Sequence, residues 1–170
     1  MMKFATGMKF AAVAALIVLA GCTTKPKPTE APPTEQPAQT TTSSIIPGSA
    51  EDLKVNVGDT VHFAYDRSDL NSEDQSILQR QAAWLQKYPT VRVQIQGNCD
   101  ERGTREYNLA LGARRANAVR DYLVSLGVSP ERVDTISYGK ERPICTESTE
   151  SCWAQNRRGV TVITSGGATS

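Results

Sequence analysis

Histidine is almost missing from this 170-residue chain; His62 is the single one. A zinc amidase needs several imidazole and carboxylate ligands, so metal-dependent hydrolysis is excluded as a reading. No Cys-x-x-Cys spacing offers a thiolate alternative, and neither a metal nor an organic cofactor is expected. An excess of charge of one sign is missing too, with 19 basic residues against 18 acidic ones. Nucleic-acid binding rests on a clearly basic surface, so no nucleic acid is expected as partner. No long apolar run occurs. Residues 10–18, FAAVAALIV, are too few to cross a bilayer as a mature helix. No internal repeat is visible.

That short run has a different meaning. Lys3 and Lys9 precede it, and Leu19-Ala20-Gly21-Cys22 ends it with small residues directly before a cysteine. This is the pattern of a bacterial lipoprotein signal: residues 1–21 are removed and Cys22 is acylated, its lipid being the one attached group expected. Several acyl chains on one residue give stable anchoring without a span. Thr23 follows, where an aspartate would retain the protein in the inner membrane under the enteric sorting rule, so the expected address is the outer membrane with the domain facing the periplasm. Removing Lys3 and Lys9 leaves 17 basic residues against 18 acidic ones.

Residues 22–54 hold six of the nine prolines, Pro26, Pro28, Pro32, Pro33, Pro37 and Pro47, with almost no large apolar residue before Ile45. Such a segment cannot bury a core and is expected to be a disordered spacer, extended by roughly 90 Å if polyproline-like. Residues 55–165 then form one domain of ordinary size, and 166–170 a tail.

Within the domain, residues 61–65 read as a strand. Ser72 with Gln75 reads as a capping box opening a helix that stops before Pro89. Residues 91–97, VRVQIQG, alternate as a half-buried strand. A second helix over about 107–126 closes on Gly127; Ser129-Pro130 opens a short turn, and residues 135–138 and 158–163 are further strands. The order predicts an α+β fold of β-α-β-α-β-β type, a sandwich with helices on one face of a mixed sheet.

Between the second strand and second helix lies CDERGTREYN, residues 99–108, with five charges: Asp100, Glu101, Arg102, Arg105 and Glu106. At 100° per residue Arg115 falls about 40° from Leu111, inside the arc of Val119, Tyr122, Leu123 and Leu126, and Asn108 falls on the same arc. An inward arginine keeps its charge and calls for an anion. Two arrangements fit: a buried salt bridge to Asp100 or Glu101, or a split site in which a carboxylate takes a ligand's ammonium and the guanidinium grips its carboxylate.

NCDERGTREYNLALGARRANAVRDYL, with SYGKERP and QNRRGVTV further on, resembles the peptidoglycan-associated lipoproteins of the Tol–Pal system and, more broadly, the C-terminal peptidoglycan-binding domain of outer-membrane protein A. The likeness covers about residues 61–163. It implies non-covalent binding of the diaminopimelate of the peptidoglycan stem peptide by Asp100 and Arg115, a role in envelope integrity and cell division, and TolB, with TolA beside it, as periplasmic partners. It also implies that Asn108, Leu111, Arg102, Thr104, Tyr65 and Asp66 line the site and that Arg157 or Arg158 closes its edge. Asn98-Cys99 stands where many members carry a histidine and a small residue. A flagellar stator relative would carry a membrane span in place of the lipobox.

Besides Cys22, Cys145 and Cys152 bracket one short loop in an exported, oxidising setting and are expected to pair, leaving Cys99 odd. A cysteine peptidase would need Cys99 and His62 together, but Cys99 directly precedes the family's recognition aspartate, so no catalytic residue is assigned and no enzyme is expected. On the split-site reading, Asp100→Asn and Arg115→Gln should lose ligand while melting almost as the parent does.

Overall fold

The computed structural model describes residues 45–169; the signal segment, Cys22 and the linker up to residue 44 lie outside them. Chain order is α1 (Ala50–Asp52, continued by a wider turn over Leu53–Val57), β1 (Thr60–His62), α2 (Ser72–Lys87), β2 (Arg92–Asn98), α3 (Arg105–Ser125), β3 (Val133–Gly139), α4 (Glu150–Asn156) and β4 (Arg158–Ser165). The strands form one sheet in the order β1-β4-β2-β3. β4 runs antiparallel to both β1 and β2, whereas β2 and β3 are parallel and joined by α3. This is the mixed sheet expected, with its helices over one face.

Alternation decides which face. Val93 and Ile95 of β2 are buried, while Gln94 and Gln96 point away from the core. Against that face lie Leu78, Ala82 and Leu85 of α2 and Ala116, Val119 and Leu123 of α3. α3 sits unusually close to the sheet. A Cβ on Gly97 would stand 1.9 Å from the Gly112 carbonyl oxygen, and one on Gly112 would stand 2.3 Å from Ser137 Oγ. Only a residue without a side chain permits that approach, and it fixes how deep α3 carries its polar residues.

Several boundaries differ from expectation. The cap of α2 is Asn71, not Ser72: its side-chain oxygen accepts from the amides of both Glu73 and Asp74, and Gln75 turns instead to the Leu70 carbonyl. β1 pairs with β4 over Thr60–His62, one further rung follows where the Phe63 amide donates to the Arg157 carbonyl, and the chain then departs, the Ala64 carbonyl receiving Arg115. α4 replaces what reads as plain loop, since Thr149 caps it by accepting from the Cys152 amide. The linker's expected end at residue 54 is corrected as well. Leu53 is in the core, and Asp52 accepts from the Gly48 amide and from Trp84 Nε1, both at 2.8 Å. The supposed tail also joins the fold, with the Ala168 amide donating to the Gly48 carbonyl at 3.1 Å. Isolated apolar residues in a polar stretch carry no periodicity, so Leu53 gave no signal.

No helix among the described residues is long and apolar enough to cross a membrane. Cys145 and Cys152 are joined by a disulfide, their Cα atoms 5.3 Å apart, and Cys99 is a free, buried thiol.

Candidate functional site

Strand β2 ends in a register shift. Gly97 pairs with Ser137 but Asn98 pairs with Gly139, and the Cys99 amide still donates to the Gly139 carbonyl at 2.8 Å. The chain then leaves the sheet and Asp100 turns inward, 4% exposed. Gly103, at φ +88°, bends the loop back, and Thr104 caps α3 by accepting from the Tyr107 amide. Asn108 holds the turn from inside, donating to the Arg102 carbonyl at 2.7 Å and the Thr104 carbonyl at 3.0 Å. Lys140 Nζ holds it from outside through the carbonyls of Glu101 and Gly103. A loop fixed from both sides is a rigid platform for its charges.

Those charges divide their work. Arg105 and Glu141 pair at the surface at 3.3 Å. Glu101 reaches α4 and the loop before it, accepting from Trp153 Nε1 at 3.0 Å and from the Ser148 hydroxyl at 2.7 Å. Asp100 accepts four bonds: Oδ1 from the Arg102 amide and Nε, Oδ2 from Arg102 Nη2 at 2.6 Å and Arg157 Nη1 at 3.3 Å. Burial alone would push its carboxyl up, but the Arg102 and Arg157 contacts outweigh it and hold it below the usual carboxylate range. Arg157 is itself fixed, donating to the Phe63 carbonyl and to Glu150 Oε1.

Arg115 is fully buried, as its helical phase suggested, but its partner is not a carboxylate. Nε donates to the Arg67 carbonyl at 2.8 Å, Nη1 to the Asn98 carbonyl at 2.9 Å and Nη2 to the Ala64 carbonyl at 3.1 Å. The internal Asp100–Arg115 salt bridge is therefore absent. A guanidinium has five N–H donors; two remain, one on each terminal nitrogen, with no oxygen partner among the described residues. Burial lowers the Arg115 pKa from its ordinary value, offset in part by the nearby Cys99 and Asp100. Burial likewise pushes the Cys99 thiol up, and its Sγ contacts the Asn108 carbonyl at 3.3 Å.

These groups surround one cleft of ≈ 130 Å³. Of the residues singled out by sequence, Tyr65, Asp66, Asp100, Arg102, Asn108, Leu111 and Arg115 line it. Thr104 and Arg157 do not; Thr104 shapes the loop and Arg157 backs Asp100. Arg158, the alternative edge residue, donates to the carbonyls of Asn156 and Arg142 and belongs to the scaffold. Cys99 and Gly103, which flank the recognition aspartate in sequence, line the cleft too, and Tyr107 does so without having been expected there, through its hydroxyl bond to Asp66. Its position one residue before Asn108 was the only hint. Trp153 and Glu150, some fifty residues from the loop they touch, gave none. No cluster of His, Cys, Asp and Glu suited to a metal occurs among the described residues. The arrangement suits a ligand with a cation near Asp100 and an anion over Arg115.

The sequence model of the OmpA family matches residues 62–157. The chain is 47% identical over 157 residues to the peptidoglycan-associated lipoprotein of Mesorhizobium japonicum, covering 92% of each, and 57% identical over 125 residues to that of Rhizobium meliloti, covering 74% of this chain and 70% of the other. The crystal structure of the peptidoglycan-associated lipoprotein from Burkholderia pseudomallei aligns at a TM-score of 0.61 and 45% identity, over 62% of this chain and 89% of that one.

Proposed function

The chain belongs to the OmpA family, and from that premise we propose that it is an outer-membrane lipoprotein that holds peptidoglycan without a covalent bond. It is a binding protein and not an enzyme. The observation that carries the ligand assignment is Arg115: a buried cation with two donors that meet no oxygen among the described residues, the Cys99 sulfur being a contact of this guanidinium, seated in the same cleft as a buried carboxylate. A terminal amino-acid centre, bearing ammonium and carboxylate on one carbon, matches that pair. Diaminopimelate in a stem peptide presents such a centre at its far end; lysine presents only an ammonium. The guanidinium grips the carboxylate in a fork and Asp100 takes the ammonium. Leu111 supplies an apolar wall for the methylene stem.

The test compares two kinds of cell wall. The protein is expected to sediment with sacculi built on diaminopimelate and to stay in the supernatant with sacculi built on lysine, because Arg115 then has no anion to grip. Equal sedimentation with both would remove the zwitterion mechanism.

Acylation of Cys22 is the second part of the proposal and supplies the membrane attachment. Fractionated envelopes should carry the protein in the outer membrane, and Cys22→Ser should release it to the soluble periplasmic fraction; recovery of Cys22→Ser with the membranes would oppose the anchor. The family resemblance implies TolB, and TolA beside it, as periplasmic partners, with TolB competing with peptidoglycan for overlapping surface. Crosslinked capture of TolB that falls when muropeptide is added is the expected sign, and capture indifferent to muropeptide would speak against competition.

A further inference from the structure

The carboxylate that the ligand's ammonium must reach is already full. Two carboxylate oxygens offer about four lone-pair positions, and Asp100 uses four, on the Arg102 amide, Arg102 Nε, Arg102 Nη2 and Arg157 Nη1. Any ammonium arriving there has to displace one of these donors. The Arg102 amide is part of a fixed turn. Arg157 is 7% exposed at its side chain and tied at its other nitrogens to Phe63 and Glu150. The Arg102 side chain is different: it is 28% exposed and hangs on a flexible stem.

We propose that the Arg102 guanidinium is a latch that occupies Asp100 in the empty cleft and must swing away when a ligand ammonium enters. This rests on the zwitterion reading of the cleft and assigns Arg102 a role opposite to a ligand contact. The latch has a built holding place. Its guanidinium carbon lies 4.1 Å from the Tyr65 ring centroid and 4.0 Å from that of Trp153, a favourable setting for a cation. It also has somewhere to go, since Arg102 Nη1 already stands 3.8 Å from the exposed carboxylate of Glu150. The ligand therefore competes with a tethered cation, and observed affinity is reduced by the fraction of time the latch is closed. Trp153 sits on α4, whose first turn is tied to Cys145 by the disulfide, so the loop sets how firmly the latch is held.

Titration calorimetry of the full mature chain against the tripeptide L-Ala-γ-D-Glu-meso-diaminopimelate tests this. Arg102→Ala is expected to bind about tenfold tighter than the parent, the loss of a charged internal competitor. Arg102→Lys, which keeps a cation but loses the two-point fork, should gain less. With 2-aminopimelate in place of diaminopimelate the distal ammonium is gone, and Arg102→Ala should show no gain. Arg115→Gln, assayed well below its own melting midpoint, serves as the control on the underlying reading. If Arg115→Gln binds like the parent, the zwitterion reading itself fails. If Arg115→Gln loses the tripeptide while Arg102→Ala binds equally or more weakly than the parent, the latch is overturned and Arg102 is not a competitor. A gain in Arg102→Ala that persists with 2-aminopimelate would also overturn it, because competition for Asp100 could not be the cause.

Discussion

Arg115→Gln should lose ligand binding and a large part of its stability together. The side chain is completely buried and satisfies three backbone carbonyls from two separate segments: Arg67 and Ala64 in the turn after β1, and Asn98 at the end of β2. A buried acceptor left without a donor costs about 1–3 kcal/mol. Glutamine's amide can serve one or two of them, and water can reach the part-buried ones, which leaves a net loss of roughly 3 kcal/mol. For a domain of this size that lowers the midpoint by on the order of 10 °C. The sequence-based expectation of an almost unchanged melt is thus reversed, because it treated Arg115 as a free arm of the site when it is also the pin joining two loops. Arg115→Lys separates the roles. It keeps the charge but has three donors at one point, so it should recover part of the melt while restoring little sedimentation with diaminopimelate sacculi. A glutamine variant that melts with the parent would show that the three carbonyls do not depend on this residue.

The contrast between what was legible and what was not follows from range. Helical phase put Arg115 among Leu111, Val119 and Leu123 without any structure, because an i, i+4, i+8 stripe is a local property. The turn at Gly103 and the cap at Thr104 are local as well. The partners of the buried charges are not. Phase can say that an arginine points inward but not that three carbonyls await it, since carbonyls leave no mark on side-chain sequence. The same holds for Asp100. Its two arginine partners come from positions 102 and 157, and the second arrives only because β4 lies between β1 and β2. Ser49–Leu53 leaves no pattern for a related reason: a single aspartate accepts from Trp84 and a single leucine joins the core across a wide sequence gap.

Asp100→Asn should be nearly as damaging, and pH shows why. In the folded protein the carboxylate sits below its ordinary value of 3.8. A depressed folded pKa contributes stability that is fully present above the unfolded value and is lost as pH falls through the folded one. The parent's midpoint should therefore hold from neutrality to about pH 5 and fall as pH drops below the ordinary value toward the lower folded one, with sedimentation on diaminopimelate sacculi lost only as the folded carboxylate itself takes up a proton. Asparagine removes the charge at every pH and turns one acceptor into a donor aimed at Arg157 or Arg102. The guanidiniums of Arg102 and Arg157 then lose their shared buried anion and keep only the exposed carboxylate of Glu150. Removing one partner from a buried ion pair costs about 3–5 kcal/mol, and the partial exposure of Arg102 and its route to Glu150 bring the expected loss to roughly 2–3 kcal/mol. The diagnostic is the comparison across pH. At neutral pH the variant should melt well below the parent and fail to bind; as pH falls below the ordinary carboxylate value of 3.8 toward the lower folded one, the difference in midpoint should shrink. If the gap between the two proteins stays constant from pH 7 to pH 3, the carboxylate's charge is not what the two arginines are holding.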